Sequence, residues 1–81
     1  MNDDNTKLPD WVRPGVSFRQ EAGPKDRHIV FHIRGIVDDQ AVLRHWRKSK
    51  GRWEYECEDW AYFNAFGASL RVLESGESGA E

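Results

Sequence analysis

The chain has little that would crosslink it or anchor it to a membrane. Cys57 is its single cysteine among 81 residues, so no intramolecular disulfide forms, which is the usual situation in a reducing compartment. Apolar runs are short, as in Ile29-Val30-Phe31, whereas a membrane-spanning helix needs about 20 apolar residues. The basic-then-apolar pattern of a signal peptide is also missing. These absences predict a cytoplasmic protein with no membrane partner.

Both ends are poor in residues that a core buries. Residues 1–10 and 75–81 consist largely of Asn, Asp, Ser, Gly and Glu, which predicts two disordered tails around a single domain over 11–74. A domain this short buries only about 60% of its unfolded-chain surface, so it has few positions to give to catalytic polar groups. The tails carry a net charge of −4 in a chain of −2, which leaves +2 on the domain and favours an anionic partner.

Clusters of Pro, Gly, Asp and Lys divide the domain into short segments, as is typical of antiparallel strands. Strands are predicted over 16–20, 28–37, 41–48, 52–58 and 69–74. Between the last two, we expect Asp59 to cap a short helical turn that ends at Phe66, with Gly67 as its C-cap. Gly35, inside the second strand, indicates a bulge or a sharp bend.

The strand over 52–58 alternates cleanly between two kinds of side chain. One face carries Trp53, Tyr55 and Cys57, and the other carries three glutamates. A two-residue turn at Lys50-Gly51 would place Trp46 opposite Tyr55. We therefore expect the aromatic face to turn towards the core.

The opposite face of this hairpin is then expected to be wet and ionic. In the predicted register Arg47 pairs with Glu54, and His45 pairs with Glu56. Arg44 shares the aromatic face, so a rim position or a partner is needed for it.

Five short strands with a helical turn before the last one resemble a Src-homology-three-like or Tudor-like barrel. The predicted fold class is therefore mainly β: a small, five-stranded antiparallel, partly open SH3-like barrel with one short α- or 3₁₀-helical turn before the last strand. The sequence also resembles short uncharacterised phage and prophage proteins, in the segments 14–16, 33–39, 42–46 and 53–56. That resemblance implies an accessory factor of a mobile element that acts on a host machine.

The residues that most often carry chemistry do not form a reactive set. His28 and His32 are four apart in a predicted strand, so they lie about 13 Å apart and do not share a metal ion. Cys57 is expected to face the core, where a thiol is inert. A glycine-rich phosphate loop is also missing from the sequence. We therefore predict no catalytic residue, metal, cofactor or small-molecule substrate, and thus a protein that is not an enzyme.

Aromatic side chains are numerous for so small a domain: four Trp, two Tyr and four Phe. Not every ring fits inside, and Trp and Tyr are enriched at interface hot spots. Trp11 precedes the first strand, and Tyr62 lies off the side of the helical turn that carries Trp60 and Phe63. The leading expectation is a binding module for a protein partner or for self-association, with Trp11 and Tyr62 as candidate contacts.

A nucleic-acid-binding hairpin is the alternative. Residues 44–53 interleave cations with Trp46 and Trp53, a combination that neutralises phosphates and stacks on bases. Two features oppose it: both indoles are expected in the core, and the returning strand is acidic. The candidate contacts are Arg34, Arg44, Arg47, Lys48, Lys50 and Arg52.

Overall fold

A computed structural model describes residues 7–73, which form one five-stranded antiparallel sheet in the order β4-β3-β2-β1-β5. The sheet is open, with β4 and β5 as its edges, so the mainly β, five-stranded antiparallel prediction is confirmed at that level. No helix among the described residues is long and apolar enough to cross a membrane. The strands are β1 (Ser17–Gln20), β2 (Ile29–Val37), β3 (Gln40–Arg47), β4 (Arg52–Glu58) and β5 (Leu70–Leu73).

Helix α1 (Trp60–Ala65) connects β4 to β5, and a 3₁₀ turn over Gly67–Ser69 follows it. The Asp59 side chain accepts a hydrogen bond from the Ala61 amide at 3.1 Å, which confirms the predicted cap. The helix ends at Ala65, and Phe66 is its C-cap, one residue before the predicted C-cap Gly67. A second 3₁₀ turn, Lys25–Arg27, lies between β1 and β2.

The β2–β3 hairpin contains the bulge that Gly35 indicated. Its turn is formed by Asp38 and Asp39, which both have positive φ values of 50° and 67°, as a two-residue hairpin turn requires. The pairing shifts between Ile33 and Gly35, so Arg34 is an extra residue on β2. As a result Ile33 lies opposite Leu43, and this pair faces the core.

The β3–β4 connection is longer than predicted. It spans Lys48 to Gly51, and Gly51 has a φ of 62°, in the left-handed region that suits glycine. Trp46 therefore lies opposite Trp53, and Arg44 lies opposite Tyr55. The predicted pairing of Trp46 with Tyr55 is wrong by two residues along the partner strand.

The core lies on one side of the sheet, under α1 and the N-terminal segment. Trp11 packs edge-to-face on Phe18 and Phe63, with centroids 5.3 and 5.7 Å apart. Leu8 also packs against this core, although it precedes the predicted domain start at residue 11. Most of the predicted tails, residues 1–6 and 75–81, lie outside the described residues. The core consists of Val12, Phe18, Phe31, Ile33, Ala41, Leu43 and Phe63.

The predicted orientation of the β3–β4 hairpin is wrong. Ala41, Leu43 and His45 face the core, whereas Trp46 is 43% exposed and Tyr55 is 61% exposed. Cys57, expected inside, is exposed as well. The bulge at Arg34 is the cause, because one extra residue on β2 exchanges the two faces of every strand position that follows in the pairing.

Candidate functional site

The outward side of β3 and β4 presents an aromatic face, which we define as His32, Arg44, Trp46, Trp53 and Tyr55. Opposite residues of an antiparallel pair share a face. The pairs Trp46–Trp53 and Arg44–Tyr55 form two neighbouring rows, and His32 extends the second row onto β2. The sheet register therefore brings together side chains from three strands.

Trp53 is the centre of this face. The Arg44 guanidinium lies over its ring, with Cζ 3.9 Å from the ring centroid. Trp46 meets it edge-on at 5.3 Å between centroids, and His32 meets it edge-on at 5.9 Å. His32 Nδ1 in turn lies 2.7 Å from Ser17 Oγ, a hydrogen bond across β1 and β2. Trp53 is consequently half-buried, and its neighbours hold it in place.

Arg44 supplies the positive charge of the aromatic face. Its stacking on Trp53 is a cation–π contact, which lowers the free energy of the pair at a partly desolvated site. Its Nε is buried and has no hydrogen-bond partner among residues 7–73. Expected on the core side, at a rim or with a partner, Arg44 lies instead on the outward side, and its partner is an aromatic ring.

Acidic side chains lie on the other side of the sheet. All three glutamates of β4 share the side of Leu43 and His45, and by register no outward strand position within residues 7–73 is acidic. Glu54 forms ion pairs with Arg47 at 3.2 Å and Arg52 at 2.9 Å. The hydrogen bond from Arg52, together with the charges of both arginines, holds the pKa of Glu54 below its usual range.

Glu56 and Glu58 lie next to the buried edge of the core. His45, only 5% exposed, has Nε2 3.0 Å from Glu56 Oε2, an ion-pair distance without the alignment of a hydrogen bond. Burial and the charge of Glu56 raise the pKa of Glu58. Burial, followed by the charges of Glu58 and Glu56, raises the pKa of Tyr62 to about 12. By register, Glu56 and Glu58 lie on the opposite side of the sheet from the aromatic face.

The predicted nucleic-acid contacts divide between the two sides of the sheet. Arg44 belongs to the aromatic face, while Arg47 and Arg52 lie on the opposite side and pair with Glu54. Lys48 and Lys50 are exposed in the loop that closes the hairpin, just beyond the Trp46–Trp53 row. The sixth candidate, Arg34, is exposed at the bulge of β2.

The predicted protein contacts lie against the core. Trp11 packs on Phe18, and Tyr62 packs on Phe63 with centroids 5.1 Å apart. Both rings are only partly exposed, and the aromatic rings exposed at the surface are Trp46, Tyr55 and Phe66 instead. The sequence signal for the exposed rings of the β3–β4 hairpin is Gly35, because the bulge that it marks determines which side of β3 faces the core.

No group of three or more His, Cys, Asp or Glu side chains in the described part of the chain is arranged to hold a metal ion. No family model, curated protein or solved structure matches the chain. The functional inference therefore depends on the aromatic face and its charges.

Proposed function

We propose that this protein is a non-enzymatic binding module whose ligand is a single-stranded nucleic acid. The observation that carries the proposal is the aromatic face, where Trp46 and Tyr55 are exposed around the cationic Arg44–Trp53 pair. Aromatic rings stack on bases of any sequence, and cations neutralise the backbone, which together make a sequence-tolerant single-strand site.

Two expectations from the sequence opposed this function: that both indoles are buried, and that the returning strand presents acidic side chains to a phosphate. The indoles of Trp46 and Trp53 both lie on the outward side, and Trp46 is exposed where a base can reach it. The acidic side chains of β4 lie on the opposite side, and Glu54 is already paired with Arg47 and Arg52. A phosphate at the aromatic face therefore meets Arg44 without a facing carboxylate on the strands.

The charge of the face favours an anionic ligand over a cationic one. Aromatic clusters also bind ammonium groups, but here the Arg44 guanidinium already occupies a face of Trp53. An incoming cation would meet that charge and be repelled. Lys48 and Lys50, at the end of the same hairpin, add positive charge along the path of a bound strand.

A protein partner is the competing function, because exposed Trp, Tyr and Arg are also the residue types of interface hot spots. The salt dependence of binding distinguishes the two functions, since release of counterions makes the affinity for a nucleic acid fall steeply with ionic strength. The strand order and the helical segment before β5 support an open SH3-like barrel, which we propose as the fold family. The role in a phage or other mobile element, in the cytoplasm, stays a prediction from the sequence.

The test is a fluorescence titration of the full chain with an oligothymidylate of about ten nucleotides at several salt concentrations. We expect quenching of tryptophan emission and a log–log salt slope that Arg44→Gln reduces by about 0.7, the contribution of one phosphate contact. Arg52→Gln is the matched control, because Arg52 lies on the other side of the same hairpin. Absence of binding at low salt, or equal losses for the two variants, would refute the proposal. Salt-insensitive self-association through Trp46 would instead favour the protein-binding function.

A further inference from the structure

We infer that the aromatic face binds two adjacent nucleotides of an extended strand, one base on Trp46 and the next on Tyr55, with their linking phosphate at Arg44. This inference rests on the proposed single-strand binding and specifies its footprint. It follows from the positions of four side chains in two neighbouring rows of the sheet.

Two rings of the face are free to stack on a base. Trp46 is 43% exposed and Tyr55 is 61% exposed, whereas Trp53 is half-buried beneath Arg44. Trp53 therefore serves as the support for the guanidinium and not as a third platform. Two platforms accommodate two bases.

The spacing of the two rings requires an unstacked strand. Trp46 lies opposite Trp53, and Tyr55 follows Trp53 by two residues, so Trp46 and Tyr55 are diagonal neighbours. The strand positions of such neighbours lie about 7–8 Å apart, more than twice the roughly 3.4 Å step between stacked nucleotides of one strand in a duplex. With platforms at that spacing, consecutive bases reach both rings when the strand is extended, which favours a single strand over a duplex at this site.

Arg44 lies where the linking phosphate must pass. Arg44 and Trp53 form the other diagonal of the same four positions, and they are in contact at 3.9 Å. The two diagonals cross, so the contact between Arg44 and Trp53 spans the gap between the strand positions of Trp46 and Tyr55. Arginine presents a fork of donors that suits a phosphate, and its stacking on Trp53 fixes the position of that fork in advance.

The deciding experiment compares the dinucleotide of thymidine with its methylphosphonate analogue, in which the linkage is uncharged. Both are titrated into the full chain and into its Arg44→Gln variant, with binding followed by tryptophan fluorescence and by NMR shifts. Loss of one charged hydrogen-bonded contact predicts about a tenfold weaker affinity of the variant for the phosphodiester and no change for the methylphosphonate. Equal weakening for both ligands would overturn the assignment of Arg44 to the linkage.

The two stacking platforms are tested with the same dinucleotide. Trp46→Ala and Tyr55→Ala are each expected to weaken it about fivefold or more, while Arg52→Gln leaves it unchanged. If either alanine variant binds as the parent does, the two-base footprint is wrong. If the longer oligothymidylate binds but the dinucleotide does not, the footprint fails while single-strand binding stands; if neither binds, the proposed function itself fails.

Discussion

At the scale of single residues, Trp53 and Arg44 stabilise each other at a surface. The guanidinium covers one face of the indole, and Trp46 and His32 pack against its edges. A partly exposed cation–π contact contributes about 0.5–1 kcal/mol. By comparison, the buried rings of Phe18 and Phe31 stack 5.4 Å apart inside the core, where large side chains contribute several times more.

This difference predicts unequal costs for removing two aromatic rings. Phe18→Ala should lower the free energy of unfolding by about 3–5 kcal/mol, because it leaves a cavity in the core. Trp46→Ala should cost less than about 1 kcal/mol, because its ring already lies at the surface. Denaturant titration followed by circular dichroism measures both. A loss at Trp46 comparable to that at Phe18 would mean that the indole is interior.

At the scale of elements, the β2 bulge determines which side of the hairpin is wet. Without the bulge, the two-residue turn at Asp38-Asp39 would set one regular register along the whole of β2 and β3. That register would place Phe31 opposite Trp46, with both side chains towards the core. The extra residue at Arg34 pairs Ile33 with Leu43 instead. Since side chains alternate with a period of two, this one-residue insertion turns Trp46 outward.

Deletion of Arg34 tests that role. Removing the extra residue forces either β2 or β3 to present the wrong face to the core, so we expect the chain to lose its cooperative fold. Arg34→Ala keeps the residue count and should unfold within about 0.5 kcal/mol of the parent, because the side chain is exposed. Thermal unfolding distinguishes the deletion variant from Arg34→Ala. A deletion variant as stable as the substitution would show that the hairpin tolerates either register.

The inner side of β4 contains two glutamates with opposite electrostatic roles. Ion pairs with Arg47 and Arg52 favour the charged form of Glu54, and its pKa is lowered. Glu58 is partly desolvated beside Glu56 and Asp59, and its pKa is raised. The same residue type therefore stabilises the strand at one position and opposes its packing at another.

The direction of each pKa shift predicts how a Glu→Gln substitution changes the stability of the fold at neutral pH. A raised pKa means that the folded chain holds the proton of Glu58 more tightly, so stability falls as pH rises above the unfolded value of about 4.3 through the folded one. Glu58→Gln should therefore raise the Tm at pH 7, with the gain vanishing below about pH 4.

Glu54→Gln is the matched comparison on the same strand and face. The lowered pKa of Glu54 contributes stability that is present above the unfolded pKa and is lost as pH falls through the folded pKa. Its glutamine variant should therefore lower the Tm at pH 7 and have little effect in acid. Calorimetry at both pH values checks the pair. Shifts of the same sign for the two variants would contradict the assigned environments.

At the scale of the whole molecule, the sheet separates the hydrophobic core from the proposed binding face. One side carries the core with α1 and the N-terminal segment, and the other carries the aromatic face. A small domain has little apolar surface to spare, so every contact with the core side matters to its stability. Leu8 extends that side beyond the predicted domain boundary at residue 11.

Leu8→Ala tests whether the folded unit includes this segment. Loss of a partly buried leucine contact should lower the free energy of unfolding by about 1 kcal/mol, whereas Leu8→Met should retain most of it. Denaturant titration measures both. An alanine variant indistinguishable from the parent would place the start of the folded unit at Trp11, as the sequence pattern suggested.

The sequence by itself determined the elements, because periodicity and turn residues are local signals. Strand β4 is predicted at its observed bounds, the Asp59 cap forms as expected, and Gly35 marks a bulge. Tertiary structure alone decided which face of the hairpin is buried. The alternation of Trp53 and Glu54 is the same in either orientation, and only the pairing of Ile33 with Leu43 across one extra residue turns the aromatic rings to water.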